Sequence, residues 1–361
     1  MKVCANCFNN KEIKKYIANI GSDSISVCPV CGEEGYPKIE LDEDGLFDFL
    51  ESLKQLFVED RRGIEYARIL QQEWNLFHSE HIGRRILCHI LGLTSSDELP
   101  TVSYSDSILT ARAQWTLLKS KVRESTRFFA DVRSFNWDVL IQPSYTLDKG
   151  TILHRARIIP KGRKTLKISE MGCPPPELAS AGRANPLGIP YLYLCQEPET
   201  TLYETRCVYL DSVVIGHFRI RKDLKLVDFD EELDLYYLYS TANSNLSLPE
   251  VVKLKFLMEE ISRDMSRPLR RFDTEVEYIP TQWICEFCKQ IGADGIKFRS
   301  SLYPEGRNIV LFHAEDAECI GVDQYEISEV IINSRAQPTV NTPLSPPSLR
   351  WGRRKKTHRR R

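Results

Sequence analysis

Residues 181–206 read AGRANPLGIPYLYLCQEPETTLYETR and decide the fold of the second half of the chain. A Gly-Arg pair and a Pro-x-Gly-x-Pro turn lead into a short aromatic strand that contains Tyr193. Thr200 or Thr201 offers the hydroxyl that caps the first turn of a helix, so the pattern predicts a helix that carries Glu204 near its start. A loop, a strand and a helix bearing one carboxylate are thus joined within one short segment.

The segments around this stretch alternate irregularly between strand and helix patterns. Short strands are expected at 151–159, 191–194, 212–220, 224–229 and 307–313, with helices at 200–207, 249–266 and 280–291. Such a mixture without regular βαβ alternation favours an α+β fold over a doubly wound one. The chain has no GxGxxG or Walker motif, so a bound nucleotide has to be held in another way.

Three residues of this half match a known pattern. Arg155 lies in the sequence LHRAR, Glu204 in TTLYETR, and Ser300 two residues after Phe298 in GADGIKFRSS. Together they resemble the RES domain, which is named for its Arg, Glu and Ser, and the resemblance extends over residues 143–335. Members of that family are toxins that consume NAD or transfer ADP-ribose. The resemblance therefore implies an ADP-ribosyltransferase-like fold, in which a split β-sheet forms a cleft around NAD.

Arg155 is predicted on a strand, where alternation places it on the same face as Leu153 and Arg157. A guanidinium on an apolar strand needs an anionic partner, which is either an acidic side chain or a ligand phosphate. The residue type alone favours the acidic side chain. The resemblance instead implies that Arg155 contacts NAD and takes part in catalysis.

The resemblance also implies NAD contacts for Arg183, Tyr193 and Ser300. Arg183 follows a glycine in a turn-rich loop, and Tyr193 presents a ring that can stack on a base; a solvated loop cation and a core aromatic are the alternatives. Tyr193 is counted among the catalytic residues as well. Ser300 aligns with the family serine, with Ser301 as the alternative, and Gln282 is a weaker candidate for the cleft.

Glu204 is the predicted catalytic carboxylate. Cleavage of the nicotinamide–ribose bond does not demand a strong protein nucleophile, because nicotinamide leaves as a neutral molecule from a cationic ring. The enzyme has to stabilise an oxocarbenium-like ribose, as carboxylates do in glycoside hydrolysis. Glu204 matches the family's Thr-Ala-x-x-Glu pattern except at the alanine. A glutamate that caps its helix is the alternative.

The first 40 residues contain two pairs of cysteines, Cys4 with Cys7 and Cys28 with Cys31. Each CxxC pair directs two thiolates to one metal ion, and two pairs supply the tetrahedral set of four sulfurs that zinc prefers. The spacing predicts a zinc-binding module at residues 1–40. The zinc is expected to be structural, because a closed four-cysteine site leaves no coordination position for chemistry.

Apolar residues at helical spacing predict three or four helices between about residues 45 and 130, and hence a small bundle at 41–140. Helical modules in front of RES domains often resemble the HEPN class, some members of which are ribonucleases with an Arg-x4-6-His pair. Arg84 and His89 fit that spacing. A histidine of ordinary structural role is the alternative.

Charge is unevenly distributed along the chain. Residues 350–361 contain eight Lys or Arg and no acid, whereas the rest of the chain has 41 basic and 50 acidic residues. An acidic body argues against a broad nucleic-acid-binding surface. Residues 336–361 are rich in Pro, Ser and Thr and then basic, so we expect a disordered tail, which either touches nucleic acid or only aids solubility.

The apolar pattern indicates a cytoplasmic protein. No apolar run approaches the ~20 residues that cross a bilayer, and no signal-peptide pattern precedes Cys4. The eleven cysteines are therefore expected to be thiols or zinc ligands rather than disulfides.

The resemblance implies a toxin of a toxin–antitoxin system that cleaves NAD at the nicotinamide–ribose bond. Water, inorganic phosphate or a protein side chain is the acceptor, so NAD phosphorolysis and ADP-ribosylation of a protein target are both open. A separate antitoxin is expected to cover the cleft. Two other functions stay open: a zinc-ribbon RNA-binding protein whose helical part cleaves RNA, and a noncatalytic module that senses NAD.

Overall fold

The computed structural model describes residues 1–22, 26–43, 45–94, 97–128, 141–230, 234–241, 247–268 and 275–331. The predicted basic tail at 336–361 lies outside these ranges. Within them, every helix is too short or too polar to cross a membrane.

The N-terminal part combines a small sheet with one helix. Strand β1 (Lys2–Cys4) pairs antiparallel with strand β2 (Lys38–Glu40). Helix α1 (Lys11–Ile20) begins after Asn10, whose side chain accepts a hydrogen bond from the Ile13 amide. This cap satisfies one of the amides that a helix start leaves without an intrahelical partner.

The next part is helical but also contains a strand pair. Its helices are α2 (Gly45–Ser52), α3 (Tyr66–Trp74), α4 (Glu80–Ile90) and α5 (Asp106–Glu124). Strand β3 (Phe57–Glu65) pairs antiparallel with β4 (Thr101–Tyr104). Most β3 side chains are exposed or half-buried. The strand therefore lacks the apolar alternation by which sequence analysis finds strands.

The second half forms a mixed sheet of eight described strands. They are β5 (Tyr145–Leu147), β6 (Ile152–Ile158), β7 (Leu192–Cys195), β8 (Ser212–Ile220), β9 (Leu224–Asp228), β10 (Gly295–Arg299), β11 (Arg307–Leu311) and β12 (Ala317–Glu326). Their order is β12-β8-β6-β7-β11-β10-β9-β5. Only β9 and β10 are parallel neighbours; the other recorded pairs are antiparallel. The predicted α+β class is confirmed.

The sheet is nearly divided between β6 and β7. Strand β6 pairs with β8 at every residue from Ile152 to Ile158. It pairs with β7 only through His154 and Cys195. No other residues of β6 and β7 pair with each other in the described part of the chain. The edge of β6 therefore borders an opening. This is the split sheet that the resemblance implies.

Helices of the second half join the sheet to the N-terminal parts. They are α6 (Pro198–Glu204), α7 (Leu235–Thr241), α8 (Leu248–Met265) and α9 (Ile279–Gln290). The first turns of α8 contribute Val252 and Phe256 to a core that continues to Val3. Its later turns contribute Ile261 to a second core with α5 and the sheet. Helix α8 therefore packs against both halves of the chain. The domain boundaries given above stay a prediction.

Candidate active site and metal centre

A cavity of about 590 Å³ lies where β6 and β7 diverge. Four of the predicted residues line it, namely Arg155 on β6, Arg183 in the preceding loop of β7, Tyr193 on β7 and Glu204 on α6. Residues far apart in sequence are thus brought to one cavity by the order of the strands. Ser301 lines the cavity too, whereas Ser300 is not part of its wall.

Glu204 is the last residue of α6, and one of its carboxylate oxygens is held in place. Its Oε1 accepts hydrogen bonds of 2.7 Å from Ser300 Oγ and 2.7 Å from Asn308 Nδ2. Ser300 and Asn308 are 4% and 8% exposed. The other oxygen, Oε2, has no donor within the described part of the chain. The carboxylate is therefore fixed in orientation while one oxygen is left for a ligand.

The helix that carries Glu204 starts earlier than the sequence indicated. Pro198 occupies its first turn and Glu197 is the residue that precedes it, a position where proline is common because its missing N–H is not needed. Glu204 consequently lies at the C-terminal end of α6 rather than in its first turn. A capping role at the helix start is thereby excluded for Glu204.

Ser300 acts on Glu204 and not on the cavity directly. Its hydroxyl accepts hydrogen bonds from the amides of Leu302 (3.2 Å) and Tyr303 (3.0 Å). These two donors occupy its lone pairs, so its proton is directed at Glu204. The direct contact to a cofactor expected for Ser300 stays a prediction.

Arg155 is a half-buried cation without an acidic partner among the described residues. Burial lowers the pKa of its guanidinium, and repulsion by Arg157 adds to this effect. Its Nη1 atom is buried and has no hydrogen-bond partner. An unpaired buried cation is costly. An anionic group in the cavity would supply the missing partner, so the salt bridge considered as an alternative is not found.

Arg183 already has protein partners. It donates hydrogen bonds to the carbonyl oxygens of Asp264 (2.8 Å) and Arg267 (2.6 Å), at the C-terminal end of α8. Carbonyls at a helix C-terminus carry partial negative charge and favour a cation. Burial lowers the pKa of Arg183. Its guanidinium is thus fixed on the cavity wall rather than solvated.

Tyr193 shapes the loop that carries Arg183. Its hydroxyl donates to Asn185 Oδ1 (2.7 Å) and accepts from the Ala184 amide (3.0 Å), and burial raises its pKa. A Cβ at Gly182 would lie 2.6 Å from Asn185 Oδ1 and 2.7 Å from the Tyr193 hydroxyl. Gln282 donates to the carbonyls of Gly182 and Asn185. Tyr193 lines the cavity, whereas Gln282 is not part of the cavity wall and stabilises the loop that carries Arg183.

Two functional candidates escaped the sequence analysis, Asn308 and His154. Asn308 on β11 holds Glu204, and its signal was a single amide in an otherwise apolar strand. His154 lines the cavity beside Arg155, and its Nδ1 lies 3.0 Å from Nδ1 of His217. Burial and the neighbouring His217 lower the pKa of His154. Its signal was only its place next to Arg155 in LHRAR.

The four N-terminal cysteines converge on one point. Their sulfur atoms all lie within 4.8 Å of one another. The separations are 3.8 Å for Cys4 and Cys7, 3.4 Å for Cys4 and Cys31, and 3.7 Å for Cys7 and Cys28. A tetrahedral zinc ion with Zn–S bonds of ~2.3 Å places its sulfurs ~3.8 Å apart. The donor set therefore fits a zinc ion.

Helix α4 carries the Arg84 and His89 pair but does not form a site from it. Arg84 forms an ion pair with Glu65 at 3.2 Å, and His89 forms a hydrogen bond with Asp42. Five residues along an α-helix correspond to a rotation of about 140° beyond a full turn, so the two side chains do not share a face. The geometry gives no support to a ribonuclease site at these residues.

The nearly divided sheet, with a fixed carboxylate and an unpaired arginine in one cavity, defines an α+β domain suited to a ligand that carries negative charge. Residues 152–329 match the family model of the RES domain. No curated protein matches the chain.

One solved structure with similarity to the chain is the crystal structure of the M. tuberculosis MbcT–MbcA toxin–antitoxin complex. The sequence identity is 9%, and the match covers 62% of this chain and 93% of that chain with a TM-score of 0.29. A TM-score this low supports no conclusion about the fold or the activity of the present protein.

Proposed function

We propose that the protein is a toxin enzyme that cleaves NAD at the bond between nicotinamide and ribose. One observation carries the proposal. A single cavity contains the fixed carboxylate of Glu204, with one oxygen free of donors in the described chain, and the buried guanidinium of Arg155, with no acidic partner there. NAD offers the complementary charges, because its nicotinamide ring is cationic, the adjoining ribose becomes cationic as the bond breaks, and its diphosphate is anionic.

Glu204 stabilises the charge that develops on the ribose. The bond between C1′ and the ring nitrogen breaks with its electron pair on nicotinamide, which leaves neutral, and the ribose becomes oxocarbenium-like. A carboxylate that is already oriented by Ser300 and Asn308 needs no rearrangement as this charge forms. This is the reason for a hydrogen-bonded glutamate rather than a freely rotating one.

Arg155 and Arg183 bind the diphosphate end of NAD in this proposal. A guanidinium binds phosphate oxygens through two parallel hydrogen bonds, and burial strengthens the interaction. Arg155 gains the partner that it lacks. Arg183 adds positive charge from a fixed position, and the ring of Tyr193 offers a face for stacking.

The cellular role follows from the family. The match of residues 152–329 to the RES domain supports a toxin that arrests growth by depleting NAD or by modifying a protein target. Water, phosphate or a protein side chain receives the ADP-ribosyl group, and a separate antitoxin protein covers the cavity. Action in the cytoplasm fits the eleven cysteines, none of which forms a disulfide in the structure.

The N-terminal cysteines bind one structural zinc ion in this proposal. The support is the set of four sulfurs at tetrahedral spacing. Arg85 of α4 donates hydrogen bonds to the carbonyls of Pro29 and Val30, so the second CxxC loop is also docked on the helical part. Zinc would stabilise this part and take no part in the reaction.

The test is release of nicotinamide from NAD by the full chain. We expect release by the wild type and a loss of roughly 100-fold or more in Glu204→Gln, which keeps the shape but removes the charge. Glu177→Gln alters an exposed glutamate outside the cavity wall and serves as the matched control. Reactions with and without phosphate identify the acceptor from the second product.

Two results would contradict the proposal in different ways. Binding of NAD without release of nicotinamide by the wild type would indicate a sensor. Equal release by the wild type and Glu204→Gln would place the reaction elsewhere in the molecule. Expression in bacteria supplies the cellular readout, since growth arrest should require Glu204.

A further inference from the structure

A chain of hydrogen bonds leads from the cavity to the surface through two histidines and an aspartate. Nδ1 of His154 lies 3.0 Å from Nδ1 of His217, and Nε2 of His217 lies 2.9 Å from Oδ2 of Asp323. The register of β6, β8 and β12 sets this arrangement, because His154 and His217 are directly paired. His154 lines the cavity, and the side chain of Asp323 is 61% exposed.

With both imidazoles neutral, the hydrogen bonds decide which nitrogen carries each proton. A carboxylate only accepts, so Nε2 of His217 carries hydrogen and donates to Asp323. Neutral His217 then presents its Nδ1 as an acceptor, and His154 must donate from Nδ1. The Nε2 atom of His154 therefore holds a lone pair, and no donor contacts it within the described ranges.

We propose that His154 is the general base that removes the proton from the attacking water or protein hydroxyl, with His217 and Asp323 as positioning residues. The inference rests on the proposed cleavage of NAD and names the group that activates the acceptor of that reaction. Glu204 carries no proton in this scheme, so the carboxylate and the imidazole have separate tasks.

The proposed step balances as follows. An O–H bond of the acceptor breaks, its oxygen forms a bond to C1′ of the ribose, and the proton binds Nε2 of His154. The bond from C1′ to nicotinamide breaks with its electron pair on nicotinamide. Protonated His154 can pass its Nδ1 proton to His217, whose Nε2 proton then moves toward Asp323 and solvent. No oxidant or second reactant is needed.

The groups around His154 favour its neutral, basic form. Burial and His217 lower its pKa, while Glu199 and Glu197 at the start of α6 oppose this effect; the shift is downward overall. Cys195, paired with it on β7, is a neutral thiol because burial raises its pKa. A base must be unprotonated to act, so the rate should be constant near neutral pH and fall in acid, below the ordinary imidazole pKa of about 6.5.

The first experiment compares His154→Gln with wild type in the hydrolysis of NAD. We expect the rate to fall by roughly 100-fold or more. The decrease in rate at acidic pH, which comes from protonation of His154, should be absent in the variant. Azide, an anionic nucleophile with no proton to lose, should restore much of the lost rate and give a ribosyl azide product. His313→Gln, at a half-exposed histidine paired with Glu315, is the matched control.

A second pair of variants tests the positioning residues. Asp323→Asn removes the carboxylate but keeps the shape, so the rate should fall by roughly 10-fold and the acid decline should shift to lower pH. Asp323→Glu should restore both. Binding of ADP-ribose, followed by calorimetry, should be unchanged in every variant, which shows that the cavity has folded.

Failure of this inference is distinguishable from failure of the proposed function. If wild type releases nicotinamide and His154→Gln keeps the rate and pH profile, or azide restores nothing, His154 is not the base. If wild type releases no nicotinamide, both proposals fall. Glu204→Gln should not respond to azide, because its defect lies in charge stabilisation.

Discussion

The hydroxyl of Ser300 donates a 2.7 Å hydrogen bond to Oε1 of Glu204. The amides of Leu302 and Tyr303 hold that hydroxyl in turn. The serine that gives the family one of its letters is therefore linked to the cavity through the glutamate. We expect the main role of Ser300 to be orientation of the Glu204 carboxylate, with binding of NAD second to it.

Ser300→Ala should therefore lower kcat more than it raises KM. Loss of one hydrogen bond to a charged group is worth about 1.5 kcal/mol, or roughly a 10-fold change in rate. Steady-state kinetics of nicotinamide release measures both constants. Ser301→Ala, on the cavity wall, is the comparison and should act mainly on KM. A rise in KM with unchanged kcat for Ser300→Ala would show direct substrate contact.

The sequence revealed those site residues that lie in short local patterns. Four of them lie in LHRAR or in the segment 181–206, and all four line one cavity: Arg155, Arg183, Tyr193 and Glu204. The residues that hold the site residues in place could not be predicted from such local patterns. Asn308 reaches Glu204 only because β11 lies beside β7, and such strand order is a property of the whole sheet.

Local sequence patterns do not predict a structure whose side chains lack the expected apolar periodicity. The β3 and β4 pair was not predicted, since most β3 side chains are exposed or half-buried. Arg84 and His89 have a suggestive spacing, but they lie on different faces of α4 and contact different acids, Glu65 and Asp42. Spacing along a chain predicts a shared site only when the helix period brings both residues to one face.

Replacement of Arg155 by methionine should raise stability and abolish NAD binding. The guanidinium is buried and has an unpaired Nη1, so its removal relieves a desolvation cost of about 1–3 kcal/mol. Denaturant unfolding of the ligand-free protein measures this gain. ADP-ribose should raise the Tm of wild type and leave that of Arg155→Met unchanged.

Arg163→Met is the matched control for this prediction. Arg163 forms an ion pair with Glu170 on the surface, where such pairs contribute little. Its replacement should leave both unfolding and ADP-ribose binding nearly unchanged. A loss of stability in Arg155→Met would show that the contacts of the guanidinium, including its hydrogen bond with Cys173, outweigh its desolvation cost.

Cys28→Ser should remove the zinc ion and lower the thermal stability of the chain. Metal analysis of the purified protein should give one zinc per wild-type chain and none in the variant, and a chelator should reproduce the effect. Acid should release zinc as well, because cysteine binds zinc as the thiolate and acid protonates it. Cys88→Ser, at a buried cysteine outside the cluster, is the control and should keep the metal.

The activity of Cys28→Ser distinguishes a structural role of the zinc site from a role in the reaction. The four cysteines do not line the cavity, so the folded fraction of Cys28→Ser should still release nicotinamide. The core that contains Cys28 also contains Phe256 of α8. The melting transition of the RES domain should therefore shift with loss of zinc. Loss of kcat at a temperature where the variant is folded would contradict a structural role.

Gly182→Ala should disturb the cavity through the loop rather than through the reacting groups. The added Cβ would meet Asn185 Oδ1 and the Tyr193 hydroxyl at 2.6 and 2.7 Å, both of which are held by hydrogen bonds. Their displacement should cost about 1–3 kcal/mol in the free energy of unfolding. Because Arg183 is the next residue, KM for NAD should rise while kcat changes less. Gly172→Ala, with no heavy atom within 4 Å of its Cβ, should change neither quantity, and an equally silent Gly182→Ala would mean that the loop is not held by Tyr193.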